Sequence, residues 1–169
     1  MSKTTRSSNG GSGKLRFLVL HGPNTNLFGR RETGIYGIQT LSYIDERIRE
    51  AAAEAGVEVT ILQSNHEGVL VDAFQSHIHD VDGAIINPAG LSFSSVALHD
   101  VIKAVPFPTI EVHLSNLDQR DQVHRNSIVT AAAKGKVMGL GWRSYTAALR
   151  ALAEMVRETM ESTKGARTR

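Results

Sequence analysis

Four short stretches of the chain hold the polar residues that chemistry requires. Asn24, Arg31 and Tyr36 lie in HGPNTNLFGRRETGIYG (21–37), and Asn65, His66 and Glu67 follow further on. Asn87 stands just before Ala89 and Gly90, and Glu111, His113 and Ser115 occur together in EVHLS. A tyrosine ordinarily titrates near pH ~10, so ionising it at neutral pH costs about 4 kcal/mol. A permanently charged guanidinium favours the phenolate, so Arg31 and Tyr36 on one loop can make a strong oxygen base. The alternative is a solvated Arg31 with Tyr36 closing the loop against the domain. Glu111 and His113 are two residues apart on an expected strand and share one side of it. The carboxylate can orient the imidazole and hold its proton, which suits a general acid; a structural histidine at a strand end is the competing reading. The N–H groups around Leu114 and Ser115, and Asn87 with the turn after it, suit an anion. A phenolate base, an imidazolium acid and an anion cradle together describe elimination of water next to a carbonyl.

Alternating segments must position these loops. LRFLVL (15–20), VEVTIL (57–62), GAIIN (83–87), FPTIEV (107–112) and KVMGL (136–140) read as strands. Between them, Leu41, Ile44, Ile48, Ala51 and Ala52 recur at helical spacing, as do Leu70, Ala73, Phe74, His77 and Ile78. Val96, Ala97, Ile102 and Val105 mark a third helix, and Tyr145, Ala148, Leu149, Leu152 and Val156 a last one. Strands separated by helices predict an α/β, three-layer, flavodoxin-like fold with a five-stranded parallel sheet. Ligands of such folds sit beyond the carboxyl ends of the strands, where all four stretches fall. Residues 14–161 form the expected single catalytic domain, between a Gly/Ser-rich disordered leader (1–13) and a disordered tail (162–169).

Composition excludes several classes. The 169 residues carry a formal charge of +2, 41% hydrophobic and 21% charged residues, with no basic stripe interleaved with aromatics to bind nucleic acid. The chain has no cysteine, so no disulfide framework and no thiolate nucleophile or metal site; this fits a reducing, cytoplasmic setting. No apolar run approaches a membrane span. HEGVL (66–70) opens like a zinc motif but has Leu70 where the second histidine belongs, so no metal is expected. No dinucleotide fingerprint or Walker motif occurs, and no cofactor is implied.

GPNTNLFGRRETGIYG, QSNHEG, IINPAGLSFSSVALHD and EVHLSN occur in this order. The set resembles the type II 3-dehydroquinate dehydratases of the shikimate and quinate pathways, over about residues 15–155. The resemblance implies a cofactor-free anti elimination through an enolate. Tyr36 would remove a proton from C2 of the substrate, with Arg31 supporting its ionisation, and Asn24 would hold a water on the enolate oxygen. His113, kept in register by Glu111, would protonate the departing C1 hydroxyl. Asn87 with the backbone of Leu114 and Ser115 would bind the carboxylate, and Asp100 would reach a neighbouring subunit's site. A homododecamer, a tetramer of trimers, is implied as well.

Some positions depart from the family's usual pattern. Phe93 stands where the family has a histidine for the ring hydroxyls, and His124, followed by Arg125, stands where it has an arginine. Thr33 replaces a usual proline in the lid, and Val69 a usual acidic residue. Arg125 or His99 could restore a donor to the hydroxyls. Two other readings accompany the dehydratase: a paralogue eliminating water from a related cyclic hydroxy-ketone acid, favoured by Phe93 and His124, and a non-catalytic assembly protein on the same scaffold.

Overall fold

A computed structural model describes residues 13–30 and 33–167. Most of the expected leader, residues 1–12, lies outside the described residues, as do Arg31 and Glu32. Among the described residues, five strands form one parallel sheet: β1 (Leu15–His21), β2 (Val57–Gln63), β3 (Gly83–Asn87), β4 (Thr109–His113) and β5 (Gly135–Met138). Their spatial order is β2-β1-β3-β4-β5. The chain moves to one side of β1 for β2 and to the other for β3, so the topological switch lies between β1 and β3.

Strand alternation divides the core into two layers. Phe17 and Val19 of β1, Ile85 of β3 and Ile110 and Val112 of β4 pack on one face. That face is covered by α2 (Leu41–Glu54) and α5 (Arg143–Arg167), through Ile44, Ile48, Tyr145, Leu149 and Leu152. Leu18, Leu20, Ala84 and Ile86 face the opposite way, toward α3 (Glu67–Ser76) and α4 (Val96–Ala104). The starts of α2 and α4 are capped by side chains that satisfy otherwise orphaned N–H groups: Thr40 accepts from Tyr43 N–H, and Ser95 from Leu98 N–H. A four-residue helix, α1 (Thr33–Tyr36), interrupts the loop after β1.

Two expectations need correction, on the tail and on His77. The segment 162–167 continues α5 as helix, with the Ser162 and Thr163 hydroxyls donating to the Glu158 and Thr159 carbonyls one turn back. Within the helical segment the sequence marked, the inward stripe of α4 is Leu98, Val101 and Ile102, and Val96 is 62% exposed. His77 lies past the end of α3 and caps it, its Nδ1–H donating to the Ala73 carbonyl at 2.8 Å. No helix among the described residues is long and apolar enough to cross a membrane.

Candidate active site

The carboxyl ends of β1, β3 and β4 open into a cavity of about 150 Å³. Asn24 and Tyr36 enter it from the loop after β1, Asn87 and Phe93 from β3 and beyond, and His113, Ser115 and Arg120 from β4 and its loop. The β1 and β3 loops are locked together at their roots. Gly22 N–H donates to the Asn87 carbonyl at 2.7 Å, and a Cβ on Gly22 would stand 2.9 Å from that oxygen. Only glycine permits this approach.

Both non-glycine residues with positive φ among the described residues line the cavity, Asn24 at 65° and Ala89 at 53°. Left-handed backbone is tolerable for asparagine and costly for alanine, so each must be held from outside. Asn65 Oδ1 accepts the Asn24 N–H at 2.9 Å and the Gln63 amide at 3.1 Å. Asn87 Oδ1 accepts the Ala89 N–H at 3.1 Å.

Glu111 and His113 are paired as their spacing on β4 predicts, with Nε2 of His113 donating to Glu111 Oε1 at 2.6 Å. Glu111 is fully buried. Ser127 donates to the same oxygen at 2.7 Å, and Thr130 to Oε2. Burial opposes ionisation of this carboxyl. The hydrogen bonds from His113 and Thr130, the His113 charge and the Ser127 hydroxyl outweigh it, and hold the group below its ordinary value. An ionised carboxylate only accepts, so it fixes the proton on Nε2 and leaves Nδ1 as the imidazole's working atom.

Tyr36 packs against Phe28, ring centroids 5.5 Å apart. Its phenolic oxygen accepts a hydrogen bond from Arg120 Nη1 at 3.1 Å, and the same nitrogen lies 3.4 Å from Ser115 Oγ. A cationic donor there favours negative charge on the phenolic oxygen. Sequence reasoning placed the activating cation at Arg31, which lies outside the described residues, and missed Arg120. The available signal was a second fixed cation in a loop that also begins at a strand's carboxyl end.

His124 also lines the cavity, its ring edge-on to Phe93 at 5.3 Å. Its Nδ1 bonds both oxygens of Asp121, at 2.8 and 2.9 Å, which holds that carboxyl below its usual range. Arg125 does not reach the cavity: its Nε–H donates to the Arg120 carbonyl at 2.7 Å. His99 and Asp100 pair with each other on the exposed side of α4. Ser127 and Thr130 were not anticipated, since only the folding of a 3-10 turn at Val129–Ala131 brings their hydroxyls under β4.

Residues 15–153 match the family model for class II dehydroquinases. A 3-dehydroquinate dehydratase of Desulforudis audaxviator is 45% identical over 142 residues, which span 84% of this chain and 95% of that one. Its counterpart in Gloeobacter violaceus is 44% identical over 151 residues, 89% and 94% of the two chains. The crystal structure of a type II dehydroquinase from Butyrivibrio crossotus superimposes with a TM-score of 0.80 at 33% identity, covering 85% of this chain and 98% of that one. The chain belongs to the class II dehydroquinase family.

Proposed function

We propose that this chain is a hydro-lyase that converts 3-dehydroquinate to 3-dehydroshikimate by anti elimination of water through an enolate. The observation that carries the reading is the convergence of Tyr36, hydrogen-bonded by Arg120, and His113, hydrogen-bonded by Glu111, on one small cavity. Matching relatives bearing the same activity in their names support it. The Tyr36 phenolate takes the proton from C2, and the electron pair passes into the neighbouring carbonyl to give the enolate. Asn24 holds the water that stabilises the enolate oxygen. As the enolate collapses, the C1–O bond breaks and His113 gives its proton to the leaving hydroxyl, releasing water. Transfer of the proton from the Tyr36 phenol to the His113 imidazole then restores both groups. Asn87 and the N–H groups of Leu114 and Ser115 receive the substrate's carboxylate, with Arg31 as a second cation for the base. Phe93 and His124 stand toward the ring hydroxyls in this reading, while Arg125, tied to the Arg120 carbonyl, does not contact them. Asp100, exposed on α4, serves a neighbouring subunit's site in a homododecamer. The protein works on a small molecule in the cytoplasm, within aromatic biosynthesis or quinate breakdown.

The test is a continuous ultraviolet assay for the conjugated enone formed from 3-dehydroquinate. Turnover should be saturable, and Tyr36→Phe should abolish it by about three orders of magnitude or more while binding persists. An unchanged rate in that variant removes Tyr36 from the chemistry. Absence of turnover in the folded parent protein would move the reading to the paralogue, which Phe93 and His124 alone favour.

A further inference from the structure

We propose that Asp45, His21 and Tyr145 form a buried relay of positioning residues that fixes the Asn87 amide with an N–H toward the substrate's carboxylate. The inference rests on the role given to Asn87 in the proposed function. His21 ends β1 and is 1% exposed; Tyr145, near the start of α5, is fully buried. Nε2 of His21 bonds Asp45 Oδ1 at 3.0 Å, and Nδ1 bonds the Tyr145 hydroxyl at 2.7 Å. His21 and Asn87 are register partners in adjacent parallel strands, so their side chains lie side by side on the face that α2 and α5 cover. Burial raises the Tyr145 phenol above its ordinary value, and hydrogen bonding from its neighbour Asn87 acts against that rise. A buried imidazole and a buried phenol at this place serve no step of the elimination, and a hydrophobic pair would fill the same core.

The donors and acceptors run in one direction. The Asp45 carboxylate only accepts, so His21 carries its proton on Nε2. Nδ1 of His21 then offers its lone pair to the phenol, and Tyr145 spends its single hydrogen there. The Tyr145 oxygen can only accept from Asn87, which must present an N–H to it. At the other end, Oδ1 of Asn87 is taken by the Ala89 N–H. The amide is thus oriented from both sides, and its second N–H remains for an acceptor in the cavity that Asn87 lines. A flipped amide would set its oxygen against the Tyr145 lone pairs, lose the Ala89 bond and present an oxygen to a carboxylate.

Steady-state kinetics on 3-dehydroquinate test the relay in full-length Tyr145→Phe, Asn87→Ala, the double variant and His21→Gln, each with its melting temperature. Tyr145→Phe should raise KM about tenfold with kcat changed by less than about threefold, and should add less than about twofold once Asn87 is alanine. His21→Gln can accept from Tyr145 and donate to Asp45, so its KM should stay within about threefold of the parent. An equal KM penalty from Tyr145→Phe with and without Asn87, or none in either background, overturns the relay. A His21→Gln penalty as large as that of Tyr145→Phe overturns its polarity. An Asn87→Ala variant with unchanged KM overturns the carboxylate assignment, and the relay with it, whereas loss of coupling alone leaves that assignment standing.

Discussion

Glu111→Gln isolates the charge behind the acid. The carboxylate is fully buried and its partner His113 only 5% exposed, so solvent screens the pair weakly. The substitution keeps shape and most hydrogen bonds. The amide oxygen can take over Oε1, accepting from His113 and Ser127, while the new NH₂ faces Thr130, whose hydroxyl rotates to accept. What disappears is the negative charge beside the imidazolium that, in the proposed reaction, surrenders its proton to the leaving hydroxyl. Unit charges about 4 Å apart at an effective dielectric near 20 interact by about 4 kcal/mol, which is a ceiling here. Relaxation of the site reduces this to about 2–4 kcal/mol, or about 30- to 1,000-fold in rate. Stability should change by no more than about 1 kcal/mol, because removing a buried charge offsets the lost pairing. The enone assay gives kcat, and thermal melting gives the fold. A kcat within about threefold of the parent in a folded protein would refute the argument that Glu111 acts through its charge. So would a defect confined to KM, since the charge was assigned to the leaving-group step.

Arg120→Met removes the cationic donor from the Tyr36 oxygen but keeps the side chain's length. It should lower kcat by about 10- to 100-fold, as expected for a charged hydrogen bond of about 1.5–3 kcal/mol, and the enone assay reads it. Because Glu111 titrates below its ordinary 4.5, its contribution to stability is present above that pH and is lost as pH falls through the folded value; urea titrations across this range should show the decline, and Glu111→Gln should flatten it. Tyr145 is held protonated by burial, so the unfolded chain alone ionises above 10.0 and stability should fall there, less so in Tyr145→Phe. Gly22→Ala pushes a methyl into the backbone carbonyl of Pro88, with the Asn87 carbonyl oxygen 2.9 Å away, and should cost about 1–3 kcal/mol in a urea titration.

The sheet was legible because buried parallel strands leave short apolar runs between turn residues, as in GAIIN, where all of Gly83–Asn87 is buried. The pairing of Glu111 with His113 was legible too, since the period of a strand puts residues two apart on one side. Contacts joining distant segments were not. Arg120 reaches Tyr36 across 84 positions, and His21 reaches Tyr145 across 124. Periodicity carries no information about such separations, and even the ordered motif set fixed which loops meet without saying which guanidinium meets the phenol. The helical course of 162–167 was hidden by its Ser, Thr and Gly, residues typical of a linker, although the Ser162 and Thr163 hydroxyls bond back along the helix.

His21 and His113 answer to different layers of the fold. Ile110 and Val112 point toward α2 and α5, so Glu111 and His113 point toward α3 and α4, where Ser127 and Thr130 close over the carboxylate. Phe17, Val19 and Ile85 put His21 and Asn87 on the opposite face, where Asp45 and Tyr145 wait on α2 and α5. Each histidine is tied by one ring nitrogen to a buried or half-buried carboxylate, which fixes its tautomer from behind. The consequences differ because the second nitrogen differs. That of His113 opens to the cavity and can exchange a proton with substrate, whereas that of His21 is sealed against a phenol and can only transmit orientation. A substrate seated above β1, β3 and β4 would therefore meet its acid from one face of the sheet and its carboxylate anchor from the other. Substitutions behind one should leave the other's kinetic signature intact, so the effects of Glu111→Gln on kcat and of Tyr145→Phe on KM should combine additively in the double variant.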